Sequence, residues 1–134
     1  DLIPDLAGIN LPVNYGGPVQ KDTLHFLHQY PALIPGGFEV ADGIFWGGDF
    51  ELTKKLINDG QVKKDNIRFF LGYTGWEAKQ LEREMESNSW ILCENLYENR
   101  IIGKSTTDFW KEKILELGGD YIIWSNAPEN PLLN

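Results

Sequence analysis

Two histidines, His25 and His28, are the whole imidazole complement of this chain, and the first place to look for a general base or a metal ligand. They lie in Leu24-His25-Phe26-Leu27-His28, which reads as a strand. On a strand, residues three apart point to opposite faces, so the two rings diverge; on a helix the same spacing would converge. Neither a third histidine nor a cysteine pair completes a zinc set. The default reading is two structural or surface histidines, with no metal and no cofactor. An enzyme reading survives in one form, a small hydrolase using His28 with a carboxylate such as Asp49 or Glu82. It requires those groups within hydrogen-bond reach, beside a pocket.

Other reactive groups are poorly placed. There is no Gly-x-Ser-x-Gly run, and the serines at 87, 89, 105 and 125 have no histidine nearby in sequence. Glu82, Glu84 and Glu86 are interleaved with Lys79 and Arg83 at i,i+3 spacing, the pattern of a solvated helix face. The single cysteine, Cys93, follows Trp90-Ile91-Leu92, which reads as a buried strand and predicts an inert thiol. Three glycine turns remain: Gly16-Gly17-Pro18, Gly47-Gly48-Asp49 and Gly72-Tyr73-Thr74-Gly75. None continues into a nucleotide-binding loop. Glycine supplies tight turns on its own account, yet turns that open helices also expose N–H groups to ligands. If a helix begins at Gly75, Trp76, Gln80 and Arg83 share one side, opposite a stripe of Ala78, Leu81 and Met85. A Trp off the stripe is either packed under a loop or displayed as a binding anchor.

The elements that must position these groups follow from local signals. Residues 1–12 are loop-like, and Val13 to Tyr15 is a short strand stopped by Gly16-Gly17-Pro18. Phe38 to Val40 and Ile44 to Trp46 form a hairpin across Asp42-Gly43. Asp49 is an N-cap and Gly60 a stop for a helix that turns Leu52, Leu56 and Ile57 inward. Ile67 to Tyr73 is a central strand, with three consecutive apolar residues at Phe69, Phe70 and Leu71. Thr74-Gly75-Trp76-Glu77 has capping-box spacing for the next helix. Trp90 to Cys93 is a strand, Asp108 to Leu117 a helix ended by Gly118-Gly119, and Tyr121 to Trp124 a last strand. Pro128 and Pro131 make an extended tail. The order is irregular and the early strands look antiparallel, which gives an α+β fold with a mixed sheet.

The 134 residues suit one compact domain, and five Trp, five Tyr and seven Phe argue against disorder. A net charge of −8, with lysines in scattered pairs, disfavours binding to nucleic acid or an anionic membrane. No apolar stretch approaches bilayer length, and one cysteine excludes an internal disulfide, which votes for the cytoplasm.

Val13-Asn14-Tyr15-Gly16-Gly17-Pro18-Val19 followed by Leu24-His25-Phe26-Leu27-His28 resembles the Gly-Gly-Pro … Leu-His segment of the YqgE/AlgH family. Gly72-Tyr73-Thr74-Gly75-Trp76 with Gln80-Leu81-Glu82 is similar to its Gly-Tyr-x-Gly/Ser-Trp … Gln-Leu-Glu pattern, and Trp90 and Trp110 match later aromatic positions. The likeness covers nearly the whole chain. It departs at Lys79, where members often have Gly, and at Lys21-Asp22-Thr23, where the family runs Asp-Arg-Gly. The resemblance implies a bacterial, cytoplasmic α+β protein. Its sheet is mixed, largely antiparallel and barrel-like, with about three helices packed on it. It also implies a single domain over 1–134 that lacks the family's strand-rich N-terminal portion, so that an exposed sheet edge could pair with a second copy. It brings no reaction with it; some members carry the label of transcriptional regulator.

These readings converge on a non-enzymatic binding or regulatory module acting through a protein partner or a small ligand. The expected groove comprises Gly16, Gly17, Pro18, Tyr73, Trp76 and Gln80, with His28 beside it. Direct nucleic-acid contact and membrane association are not expected, and a homo-oligomer is a candidate assembly.

Overall fold

The computed structural model describes residues 10–104 and 109–126. They fall into two compact units, one made of 10–89 with 97–104 and the other of 90–96 with 109–126. The first unit holds a five-stranded sheet: β1 (Val13–Tyr15), β2 (Val19–His28), β3 (Phe38–Ala41), β4 (Ile44–Trp46) and β5 (Ile67–Tyr73), in the spatial order β1-β5-β2-β4-β3. β1 runs parallel to β5, and every other neighbouring pair is antiparallel. The class is therefore α+β with a mixed, largely antiparallel sheet. The sheet is open rather than barrel-like: among the described residues β1 pairs only with β5, and β3 only with β4.

Register fixes which side chains share a face. Phe26 lies opposite Phe69 and His28 opposite Ile67, so these residues point to one side. Helix α1 (Phe50–Asn58) covers that side through Leu56, with Phe50, Leu52 and Ile57 packed against the buried cluster of Phe26, Ile34, Val62, Ile67 and Phe69. The sequence dictates this helix at both ends. The Asp49 carboxylate accepts the Leu52 N–H at 3.0 Å, and Gly60 follows the last turn with φ of 73°. The β3–β4 hairpin turns at Asp42-Gly43, as its residues require. β2 is longer than its apolar core, because Val19 pairs with Tyr73 across an irregularity that ends at Leu24.

Four expectations fail. The helix after Thr74 starts only at Gln80 (α2, Gln80–Glu86), and no capping box forms. Lys79 precedes it in a left-handed conformation, and the Gln80 side chain accepts the Glu77 N–H at 2.9 Å. The predicted stripe of Ala78, Leu81 and Met85 is not buried; Gln80, Glu84 and Met85 are half-buried, and Ala78 and Leu81 are exposed. Trp90 to Cys93 is irregular, and the Cys93 thiol is exposed, not a core group. Tyr121 to Trp124 lies in a 3-10 helix (Gly119–Asn126).

In the second unit, α3 (Phe109–Leu117) buries Lys113 and Ile114, with the Lys113 ammonium 2.9 Å from Glu116. Gly118 at φ 65° ends it. Trp110 and Leu117, predicted to share the inward face with Ile114, are exposed. The predicted loop over 1–9 and the proline tail lie outside the described residues. No helix among the described residues is long and apolar enough to cross a membrane.

Candidate functional site

The sheet face opposite α1 carries a cleft of about 500 Å³, lined chiefly by His25 and Leu27 of β2, Trp46 of β4, Phe70 and Tyr73 of β5, and the glycines Gly16 and Gly72. Strand alternation places these groups together. His25 lies opposite Phe70 and Leu27 opposite Trp46, on the side that Phe26 and Phe69 leave. The His25 ring stands between two aromatics, 5.9 Å from Trp46 and 5.6 Å from Tyr73, the latter edge-on at 75°.

Two glycine turns distant in sequence form one end of this cleft. The Gly16 N–H donates to the Leu71 carbonyl at 2.8 Å, drawing the β1–β2 turn onto β5. A Cβ on Gly16 would run into the Gly72 carbonyl, and Gly72 itself holds φ at 70°. Gly17 lies equally close to the Tyr73 backbone. Both turns therefore need glycine for close approach, and both contribute lining to the cleft.

His25 is oriented by Thr23. The Thr23 hydroxyl donates its one proton to the Gln20 carbonyl at 2.7 Å, so its oxygen accepts from His25 Nε2–H at 3.1 Å. Nδ1 is the remaining polar atom of the ring and has no protein partner among the described residues. No buried side-chain nitrogen or oxygen among them lacks a partner, so Nδ1 of this partly buried residue reaches solvent.

His28 points the other way, as strand geometry requires. It is fully buried and stacked between Phe26 and Phe45 at 5.8 and 5.9 Å. Its Nδ1 accepts the Tyr30 N–H at 3.1 Å, which places the proton on Nε2, and that N–H donates to the Gly47 carbonyl at 2.9 Å. Burial lowers its pKa below the ordinary 6.5, against a smaller opposing effect of the Gly47 bond. Both ring nitrogens are thus engaged with backbone. The pairing of His28 with Asp49 or Glu82 is not made: Asp49 caps α1, and Glu82 lies exposed on α2.

Of the groups expected from sequence, Gly16 and Tyr73 line the cleft, while Gly17 and Pro18 complete the turn beside it. Trp76 and Gln80 form a separate polar cluster around Glu84: the Trp76 indole N–H donates to one carboxylate oxygen at 3.1 Å and the Gln80 amide to the other at 2.9 Å. His25, Leu27, Trp46 and Phe70 were missed as site residues. The 2-residue alternation of Phe38-to-Trp46 and Leu24-to-His28 marked their faces, but only the strand order brings those faces together. Arg68, beside this face and opposite Leu27, is half-buried and donates to the Lys104 carbonyl; burial lowers its pKa. Among the described residues, no three His, Cys, Asp or Glu side chains cluster as a metal site would require.

A mixed sheet with one face covered by a helix and an aromatic cleft on the other defines an α+β protein with a ready-made recess. The AlgH-like family model (DUF179) matches residues 1–122, and the chain belongs to that family. It is 42% identical over 134 residues to a UPF0301 protein of Chlorobium limicola, covering all of this chain and 71% of that protein. A UPF0301 protein of Bacteroides thetaiotaomicron is 40% identical, with 100% and 68% covered. The solution structure of AlgH from Pseudomonas aeruginosa shares the fold at a TM-score of 0.63 and 22% identity, covering 96% of this chain and 70% of that one.

Proposed function

We propose that this AlgH-like chain is a non-enzymatic binding or regulatory module whose site is the aromatic cleft on the open face of the sheet. The observation that carries the reading is the setting of the two histidines. His25 faces the recess with only a threonine hydroxyl behind it, and His28 is locked between backbone groups on the far side. Neither has a carboxylate to share a proton with, whereas the recess is concave, apolar and supplied with a few polar tips, the usual make-up of a ligand site. Gly16, Gly17, Pro18 and Tyr73 keep their binding role as one wall, with Trp76 and Gln80 on the helix that follows as an adjoining contact patch. His28 serves the site from behind by holding β2 against β4.

Any regulatory action, including the transcriptional role attached to some members, then runs through a ligand or protein partner. A net charge of −8 opposes direct contact with DNA. The reading carries a cytoplasmic location, supported by the lone thiol. The test is native co-purification of small molecules and proteins with the wild-type chain and with Trp46→Ala. Species lost from a folded Trp46→Ala variant support the cleft, and retention of every one of them rejects it.

A further inference from the structure

We infer that the cleft takes a free small molecule of one class: a neutral, planar aromatic carrying a single N–H or O–H donor. The inference rests on the reading of the cleft as the binding site and specifies its occupant. Three observations lead to it.

The first is the shape and chemistry of the walls. Trp46 and Tyr73 flank the His25 ring within 6 Å, Phe70 and Leu27 lie along the same face, and Gly16 and Gly72 add no side chain at the end. A flat ring stacks against such surfaces at little conformational cost. About 500 Å³ suits a ligand of one or two fused rings and is generous for a single side chain.

The second is charge. No Asp, Glu, Lys or Arg lines the recess. An ionised ligand would shed water there without gaining a counter-charge, so a neutral one is favoured.

The third is the orientation of His25. The Thr23 hydroxyl spends its proton on Gln20 and fixes the His25 N–H on Nε2. The open Nδ1 of the neutral ring is then an acceptor, and its complement is a donor on the ligand. Thr23 and Gln20 thereby act as positioning residues for a recognition atom, without touching the ligand themselves.

The experiment titrates the 134-residue chain at pH 8 with four probes, following ring and indole N–H signals of His25, Trp46 and Tyr73 by NMR. Indole has the plane and the donor, 1-methylindole the plane alone, cyclohexanol the donor alone, and tetramethylammonium a charge suited to aromatic faces. Indole is expected to bind about three- to tenfold more tightly than 1-methylindole, the span of one neutral hydrogen bond, and more tightly than the other two. His25→Phe keeps a ring and removes the acceptor, so it should erase the difference between indole and 1-methylindole. Thr23→Val releases the tautomer and should shrink that difference, which keeps the idea testable if His25→Phe does not fold. Equal binding of the two indoles, undiminished discrimination in either variant, or a preference for cyclohexanol or tetramethylammonium overturns the ligand class while leaving the cleft as a site. No shift of cleft signals with any probe overturns both.

Discussion

Acidification from pH 7.5 to 5.5 should weaken the fold through one residue, His28. Its ring is shut between Phe26 and Phe45, and its Nδ1 already accepts the Tyr30 N–H. A second proton would set two donors against each other and place a charge among aromatic rings. The folded pKa therefore lies below the unfolded 6.5. The sign follows from proton counts. Above pH 6.5 neither state binds the extra proton and stability is full. Below it the unfolded chain takes the proton first, and stability falls until the folded pKa is reached. Each pH unit in that window costs about 1.4 kcal/mol, so the step to 5.5 removes at most roughly 1.4 kcal/mol. That range also stays above the ordinary titration of carboxylates. The assay is urea unfolding followed by tryptophan fluorescence at both pH values, on wild type and His28→Gln. Glutamine keeps an N–H for Gly47 and does not titrate. Wild type should lose about 1 kcal/mol more than the variant between the two conditions. Equal losses, or ring 15N shifts placing a proton on Nδ1 at pH 7.5, would refute the account.

Two further outcomes follow from the caps and the thiol. Asp49→Ala removes the acceptor for Leu52 N–H and should destabilise by about 0.5–2 kcal/mol, read as a shift in urea midpoint with unchanged slope. Cys93 is exposed, so a thiol reagent should label it fully in buffer without denaturant; labelling only after unfolding would contradict the structure.

The elements legible in the sequence are those with their own local signals. α1 carries an N-cap aspartate and a terminating glycine, the β3–β4 hairpin carries Asp42-Gly43, and β5 carries three apolar residues in a row. Those groups act within a few residues and need no distant partner. Trp90 to Cys93 and Tyr121 to Trp124 have strand-like composition too, but a strand exists only when another one pairs with it, and neither run finds one. The capping box at Thr74 failed for a related reason. Tyr73 is still engaged with Val19 in the sheet, and the chain runs on to Lys79 before it turns helical. The cleft was half legible. Glycine turns and Tyr73 stood out individually, and the opposite facing of the two histidines followed from strand periodicity. Trp46 did not stand out, because nothing within β4 tells that it will lie opposite Leu27.

The walls of the recess come from the end of β1, the middle of β2, the end of β4 and all but the start of β5. No stretch shorter than the span from Gly16 to Thr74 contains them all, so no peptide cut from within it carries the recess. The unfolded polypeptide then has nothing for the occupant to hold, and an occupant that recognises only the finished sheet raises the melting temperature as its concentration rises. Thermal shift thus becomes a search tool for the natural occupant, one that needs no knowledge of what the protein regulates.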